Sequence, residues 1–116
     1  MMFSGVPNLA VALGYTNASW TLKCELIARY VCRLLTHLDS GNYDWCVPRR
    51  RPEDSDEEPI LGLTSGYVQR AVSYLPKQGA RAPWKLHQNY LLDLVSLRHG
   101  SLEDSVMAFG KSKERL

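Results

Sequence analysis

No two glycines stand two residues apart anywhere in the 116-residue chain, so it holds no GxGxxG loop to cradle a dinucleotide pyrophosphate. A GxSxG nucleophile elbow and an HExxH zinc helix are missing as well. Gly110-Lys111-Ser112 matches only the second half of a phosphate-binding loop, because Ser105 occupies the place of its first glycine. Long apolar runs are absent too. Nothing approaches the roughly 20 residues needed to cross a bilayer, and the apolar opening has no basic region and is interrupted by Pro7, which argues against a secretory leader. Cysteine is sparse. Cys24, Cys32 and Cys46 form no CxxC pair and have no zinc-type spacing to His37, His87 or His99. No catalytic residue and no metal ligand is assigned from these patterns. An odd cysteine count without a leader fits a reducing, cytoplasmic setting, with Cys24 and Cys32 expected to pack as small apolar residues. The sequon Asn17-Ala18-Ser19 would then never be modified.

The chain is of ordinary globular composition, 45% hydrophobic and 22% charged, and long enough for one small core. Net charge is +2, but Arg49, Arg50 and Arg51 lie just before Glu53, Asp54, Asp56, Glu57 and Glu58. Opposite charges so close screen each other, which excludes a lasting basic field for nucleic acid and predicts a solvated loop over 48–59 with exposed carboxylates.

In residues 8–13, Asn-Leu-Ala-Val-Ala-Leu, the apolar residues are adjacent rather than alternating, the pattern of a strand buried on both faces of a parallel sheet. A lone strand of this kind has no partner elsewhere in the sequence. A long helix is predicted over 20–39, with Leu26, Ile27, Tyr30, Val31, Leu34, Leu35 and Leu38 on its core face. Lys23, Glu25, Arg29, Arg33 and His37 are placed on the other side, and Gly41 is the expected stop. A short strand is expected over 42–47. A second helix is predicted over 65–75, capped by Thr64 or Ser65 and ended by Pro76. A third runs over 84–98 with Leu86, Tyr90, Leu91, Leu94 and Val95 on one face, ended by Gly100. A last strand is expected over 106–109, and the polar tail 111–116 should fray.

The one ligand-facing feature is the strand–turn–helix unit through Gly14-Tyr15-Thr16-Asn17-Ala18-Ser19-Trp20. Such a turn points backbone N–H groups and the positive helix end past the end of the strand. Asn17 and Ser19 add hydrogen-bonding groups and Trp20 a flat apolar face. On the residues alone, Asn17 and Ser19 could equally cap the helix while Trp20 packs as core.

Gly5-Val6-Pro7-Asn8-Leu9 and Leu13-Gly14-Tyr15-Thr16-Asn17-Ala18-Ser19-Trp20-Thr21-Leu22-Lys23 resemble the last FAD-domain segment of flavin-containing monooxygenases. The resemblance continues through Ser65-Gly66-Tyr67-Val68-Gln69-Arg70, Leu75-Pro76-Lys77-Gln78-Gly79, Arg81-Ala82-Pro83-Trp84, Gln88-Asn89-Tyr90-Leu91 and Asp93. The most similar subgroup is the bacterial Baeyer–Villiger one that includes the ethionamide-activating monooxygenase. This resemblance implies a mainly α, carboxyl-terminal fragment of an α/β, Rossmann-like FAD/NAD(P)-binding enzyme, with three helices and one or two short strands. The implied organisation is 1–47 as the last strand and helix of the FAD domain, 48–59 as a charged linker, 60–110 as a helical extension and 111–116 as a tail. FAD and NADPH are the implied cofactors, neither expected to bind the isolated chain. Oxygen insertion beside a ketone, or oxidation of a sulfur-type heteroatom, is the implied reaction. Asn17, Ala18, Ser19, Trp20 and Thr21 would face the flavin. Both glycine-rich loops would lie before the Met1-Met2 start, so the chain alone is expected to be inactive and to self-associate or pair with the amino-terminal part. The competing reading is a small helical interaction module that uses the apolar stripe of the long helix.

Overall fold

A computed structural model of the chain describes residues 2–60 and 64–113. The frayed tail expected over 111–116 lies outside them from residue 114 onward. The described residues form two compact units, one made of residues before 52 and after 86, the other of 52–86.

In the first unit, helix α1 (Trp20–Gly41) is followed by strand β1 (Trp45–Pro48), helix α3 (Tyr90–His99) and strand β4 (Met107–Gly110). Strands β1 and β4 pair antiparallel, with Cys46 opposite Phe109 and Val47 opposite Ala108. α1 packs against α3 and buries Leu26, Ile27 and Leu34. Arg33 reaches across to the end of α3 and donates to the carbonyls of Leu97 (2.7 Å) and Gly100 (2.6 Å), two of the orphan acceptors at a helix terminus. The stripe predicted for α1 is therefore covered in large part by the chain itself. Leu35 is the departure, 55% exposed.

Lys23 is not on the solvent face; it is buried on the core side. Gly41 lies inside the helix, and the left-handed stop is Asn42, with φ 53°; a Cβ at Gly41 would strike the Tyr43 ring. No strand forms over 8–13, where Leu9 and Val11 are exposed. Asn8 takes a left-handed φ of 54°, accepts from the Cys46 N–H (2.9 Å) and donates to the Asp44 carbonyl (3.2 Å), which ties the segment to β1 at one point and turns it away. Cys46 is the buried cysteine; Cys24 is half-buried and Cys32 exposed. Burial pushes the Cys46 thiol up from its usual value, against a weaker opposing hydrogen bond from Asn8.

α3 begins six residues later than predicted and turns a different face inward. Asn89 caps it, its side chain accepting from the Leu92 N–H at 3.2 Å. Its buried residue is Asp93, 4% exposed, while Leu91 and Val95 are 69% and 64% exposed.

The second unit holds strand β2 (Glu57–Pro59), helix α2 (Gly66–Ala71) and strand β3 (Lys77–Gly79). β2 and β3 pair antiparallel. The charged stretch is thus not wholly a solvated loop: Glu57–Pro59 is a strand, and Asp54 is buried, accepting a hydrogen bond from Trp84 Nε1 at 3.0 Å. Trp84 lies in the turn after β3 rather than in a helix; its carbonyl accepts from the Gly79 N–H at 3.1 Å, and a Cβ at Gly79 would strike its side chain. α2 is shorter than the predicted 65–75 helix and buries Val68; Ser65 stands at its N-cap without a side-chain cap bond. The described residues thus carry three helices, as expected, with four short antiparallel strands where one or two were expected.

Candidate functional site

The turn before α1 is fixed by one element. Gln88, just ahead of α3, accepts from the Thr16 backbone N–H at 3.0 Å and from Thr16 Oγ1 at 3.3 Å through its side-chain oxygen. Its backbone carbonyl accepts from Asn17 Nδ2 at 3.3 Å. Five residues on, Asp93 accepts from the Tyr15 hydroxyl (2.5 Å) and from Lys23 Nζ (2.6 Å) through the same carboxylate oxygen. Lys23 Nζ also lies 5.4 Å from the centre of the Tyr15 ring. All three members of this cluster are buried.

Tyr15 sits before the turn, Lys23 in the first turns of α1 and Asp93 in α3, so one carboxylate ties three segments together. Burial, then the hydrogen bond to Asp93 and that carboxylate's charge, push the Tyr15 phenol far above its usual value. Its folded-state value is raised, so its contribution to stability is complete below the ordinary phenol value of about 10 and is lost as pH rises beyond it. Unfolding by urea across about pH 9–11 should show falling stability, and Tyr15→Phe should flatten part of that slope. A residual slope is expected from Tyr30 and Cys46, whose values burial also raises. An unchanged slope in Tyr15→Phe would contradict the buried hydroxyl–carboxylate contact.

The outer side of the turn is open. Asn17, Ala18, Ser19, Trp20 and Thr21 are all exposed. Ser19 occupies the N-cap position of α1 but makes no side-chain cap bond, and the first turn carries no acidic residue. Its hydroxyl lies 3.0 Å from Thr21 Oγ1 instead. Trp20 is 51% exposed, with its ring over Gly14, where a Cβ would collide with it. Asn17 is therefore a strut to Gln88, Ser19 is not a side-chain cap, and Trp20 is not a core residue. The structure brings residues 17–21 together as one exposed helix start. Tyr15, Lys23, Gln88 and Asp93, which the sequence did not single out as a site, stand directly behind it.

The chain is 49% identical over 111 residues to the FAD-containing monooxygenase EthA of Mycobacterium tuberculosis, covering 96% of this chain and 23% of that protein. It is 42% identical to the EthA of Mycolicibacterium smegmatis over 97% of this chain and 23% of that one. It belongs with the FAD-containing monooxygenases. To the protein named probable FAD-binding monooxygenase AlmA of Acinetobacter baylyi it is 44% identical, over 98% of this chain and 23% of the relative. The chain thus spans about a quarter of the length of these monooxygenases and corresponds to a carboxyl-terminal part of them. No family model matches the chain, and no solved structure matches it.

The exposed start of α1 suits a flavin in the chemistry of its donors. Backbone N–H groups at a helix start, with neither a side-chain cap nor a carboxylate beside them, favour an electron-rich or anionic group. The cavity in the second unit, lined by Glu53, Asp54, Asp56, Gly79, Ala80, Arg81 and Trp84, has a volume of about 10 Å³, room for a water molecule only. Among the described residues no cluster of three or more His, Cys, Asp or Glu side chains could hold a metal ion, and no helix is long and apolar enough to cross a membrane.

Proposed function

We propose that this chain forms one wall of the flavin site in an FAD- and NADPH-dependent, Baeyer–Villiger type monooxygenase of the cytoplasm. That enzyme would insert oxygen beside ketones or oxidise sulfur-type heteroatoms. The observation that carries this reading is the start of α1, where residues 17–21 are exposed and uncapped while the turn is anchored from behind by Gln88 and Asp93. Similarity to FAD-containing monooxygenases over nearly the whole chain supports it. FAD, when bound, supplies the electron transfer and oxygen activation. The chain's own part is electrostatic: N–H groups at the helix start favour negative charge on the reduced ring without reorganising at the moment of reaction. Trp20 adds an apolar face that excludes water.

The remaining part of the enzyme would cover the exposed residues Leu91, Leu92 and Val95 of α3. The competing reading of an interaction module rests on the apolar stripe of α1, of which Leu26, Ile27 and Leu34 are buried within the chain and Leu35 is open; an experiment separates the two. The chain alone should hold no FAD. Joined to the amino-terminal part of the M. tuberculosis relative, in place of the segment that it matches, it should yield a flavoprotein that oxidises NADPH. Ala18→Asp, which sets a carboxylate beside the helix start, should lower the flavin reduction potential in that protein. A joined protein without flavin would reject the flavin reading, and an unchanged potential would remove residues 17–21 from the site.

A further inference from the structure

We infer that Gln88 and Asp93 are positioning residues, which set the placement of the flavin-facing turn without touching the flavin themselves; this rests on the function proposed above. The contacts to the turn are one-sided. Tyr15, Thr16 and Asn17 are each held by a residue of the 88–93 segment, while the opposite side, from Ala18 to Thr21, is exposed. A segment that only completed a hydrophobic core would be expected to meet the turn with apolar side chains, whereas α3 turns Leu91, Leu92 and Val95 outward and Asp93 inward.

Two features separate positioning from simple adhesion. Gln88 is exposed, so its bonds to Thr16 bury little and contribute little to stability, yet they fix the direction of the chain just before the helix start. Asp93 takes part in a buried ion pair with Lys23, an arrangement that an apolar set of similar volume commonly replaces without loss of stability. What an apolar set cannot reproduce is direction: one carboxylate oxygen fixes the Tyr15 hydroxyl and the Lys23 ammonium at 2.5 and 2.6 Å, and with them the register of the turn against α1.

The test uses the joined protein described above. Gln88→Ala should leave its thermal unfolding midpoint unchanged but weaken FAD binding by about tenfold, the scale of one well-placed hydrogen bond. Gln88→Glu, which keeps the acceptor oxygen, should restore most of that affinity. The triple variant Tyr15→Phe/Lys23→Met/Asp93→Leu should stay folded, bind FAD more weakly and show a shifted flavin absorption envelope. If Gln88→Ala and the folded triple variant bind FAD with unchanged affinity and spectrum, the inference fails while the flavin reading stands. If the unsubstituted joined protein holds no flavin, the flavin reading fails and the inference with it. Loss of FAD that follows unfolding in every variant, without rescue by Gln88→Glu, would assign these residues to stability alone and overturn the proposal.

Discussion

Asp93→Asn is expected to destabilise the chain by about 3–5 kcal/mol, because it leaves the Lys23 ammonium buried without its counter-charge. The same substitution weakens the acceptor of the Tyr15 hydroxyl. The size of the effect measures the damage of breaking the cluster, not the value of having it. Taking two charges out of water costs several kcal/mol per ion, which their mutual attraction barely offsets. Removing the cluster as a whole should therefore be mild. Tyr15→Phe/Lys23→Met/Asp93→Leu should unfold in urea within about 1 kcal/mol of the parent chain. A triple variant as unstable as Asp93→Asn would mean that the charges themselves hold the fold together.

Ile27→Ala should cost about 2–5 kcal/mol, through lost burial and the cavity left behind. Leu35→Ala, on the same predicted stripe, should change stability by less than about 0.5 kcal/mol, since that side chain is more than half exposed. The contrast tests which part of the α1 stripe the chain covers by itself. Equal losses at both positions would mean that Leu35 is buried in solution, by self-association or by a different packing of α3. In the joined protein Leu35→Ala becomes informative in another way: a clear loss there, absent in the isolated chain, would locate Leu35 under the rest of the enzyme.

Much of this architecture was legible in the sequence. The apolar spacing of α1 located the helix and named Leu26, Ile27 and Leu34 as core; β4 is shifted by one residue from the expected 106–109, while β1 starts at Trp45, inside the expected 42–47, and ends at Pro48. The misses have physical causes. Lys23 stands three and four residues before Leu26 and Ile27, on the same face, so helical geometry alone places it in the core stripe. A lysine there requires a buried acid, and Asp93, set among Leu91, Leu92, Leu94 and Val95, is the acid with the most apolar surroundings in the sequence. Treating lysine as a solvent marker hid that pair, and with it the inward face of α3.

The start of α3 lies later than the period suggests because Leu86 falls on the helical spacing of Tyr90 and Leu94, although Asn89 is a good N-cap for the orphan N–H groups of the helix. The β2–β3 hairpin escaped notice because its strands are three residues long and rich in charge and proline. The strand expected over 8–13 rests on a different cause. A strand buried on both faces is stable only between sheet neighbours, and among the described residues this segment meets β1 at Asn8 and is part of neither sheet. The turn Asn17–Thr21 was found from the sequence, whereas the residues that fix it, separated from it by some 70 positions, became visible only once α3 was seen beside α1.

Hydrogen exchange of the backbone amides in the joined protein, with and without FAD, addresses the proposed site most directly. FAD should slow exchange over residues 17–21 while leaving the β1–β4 pair unaffected. Slowing confined to other segments, with the amides of 17–21 exchanging as fast in the presence of FAD as in its absence, would contradict a flavin lying against the start of α1.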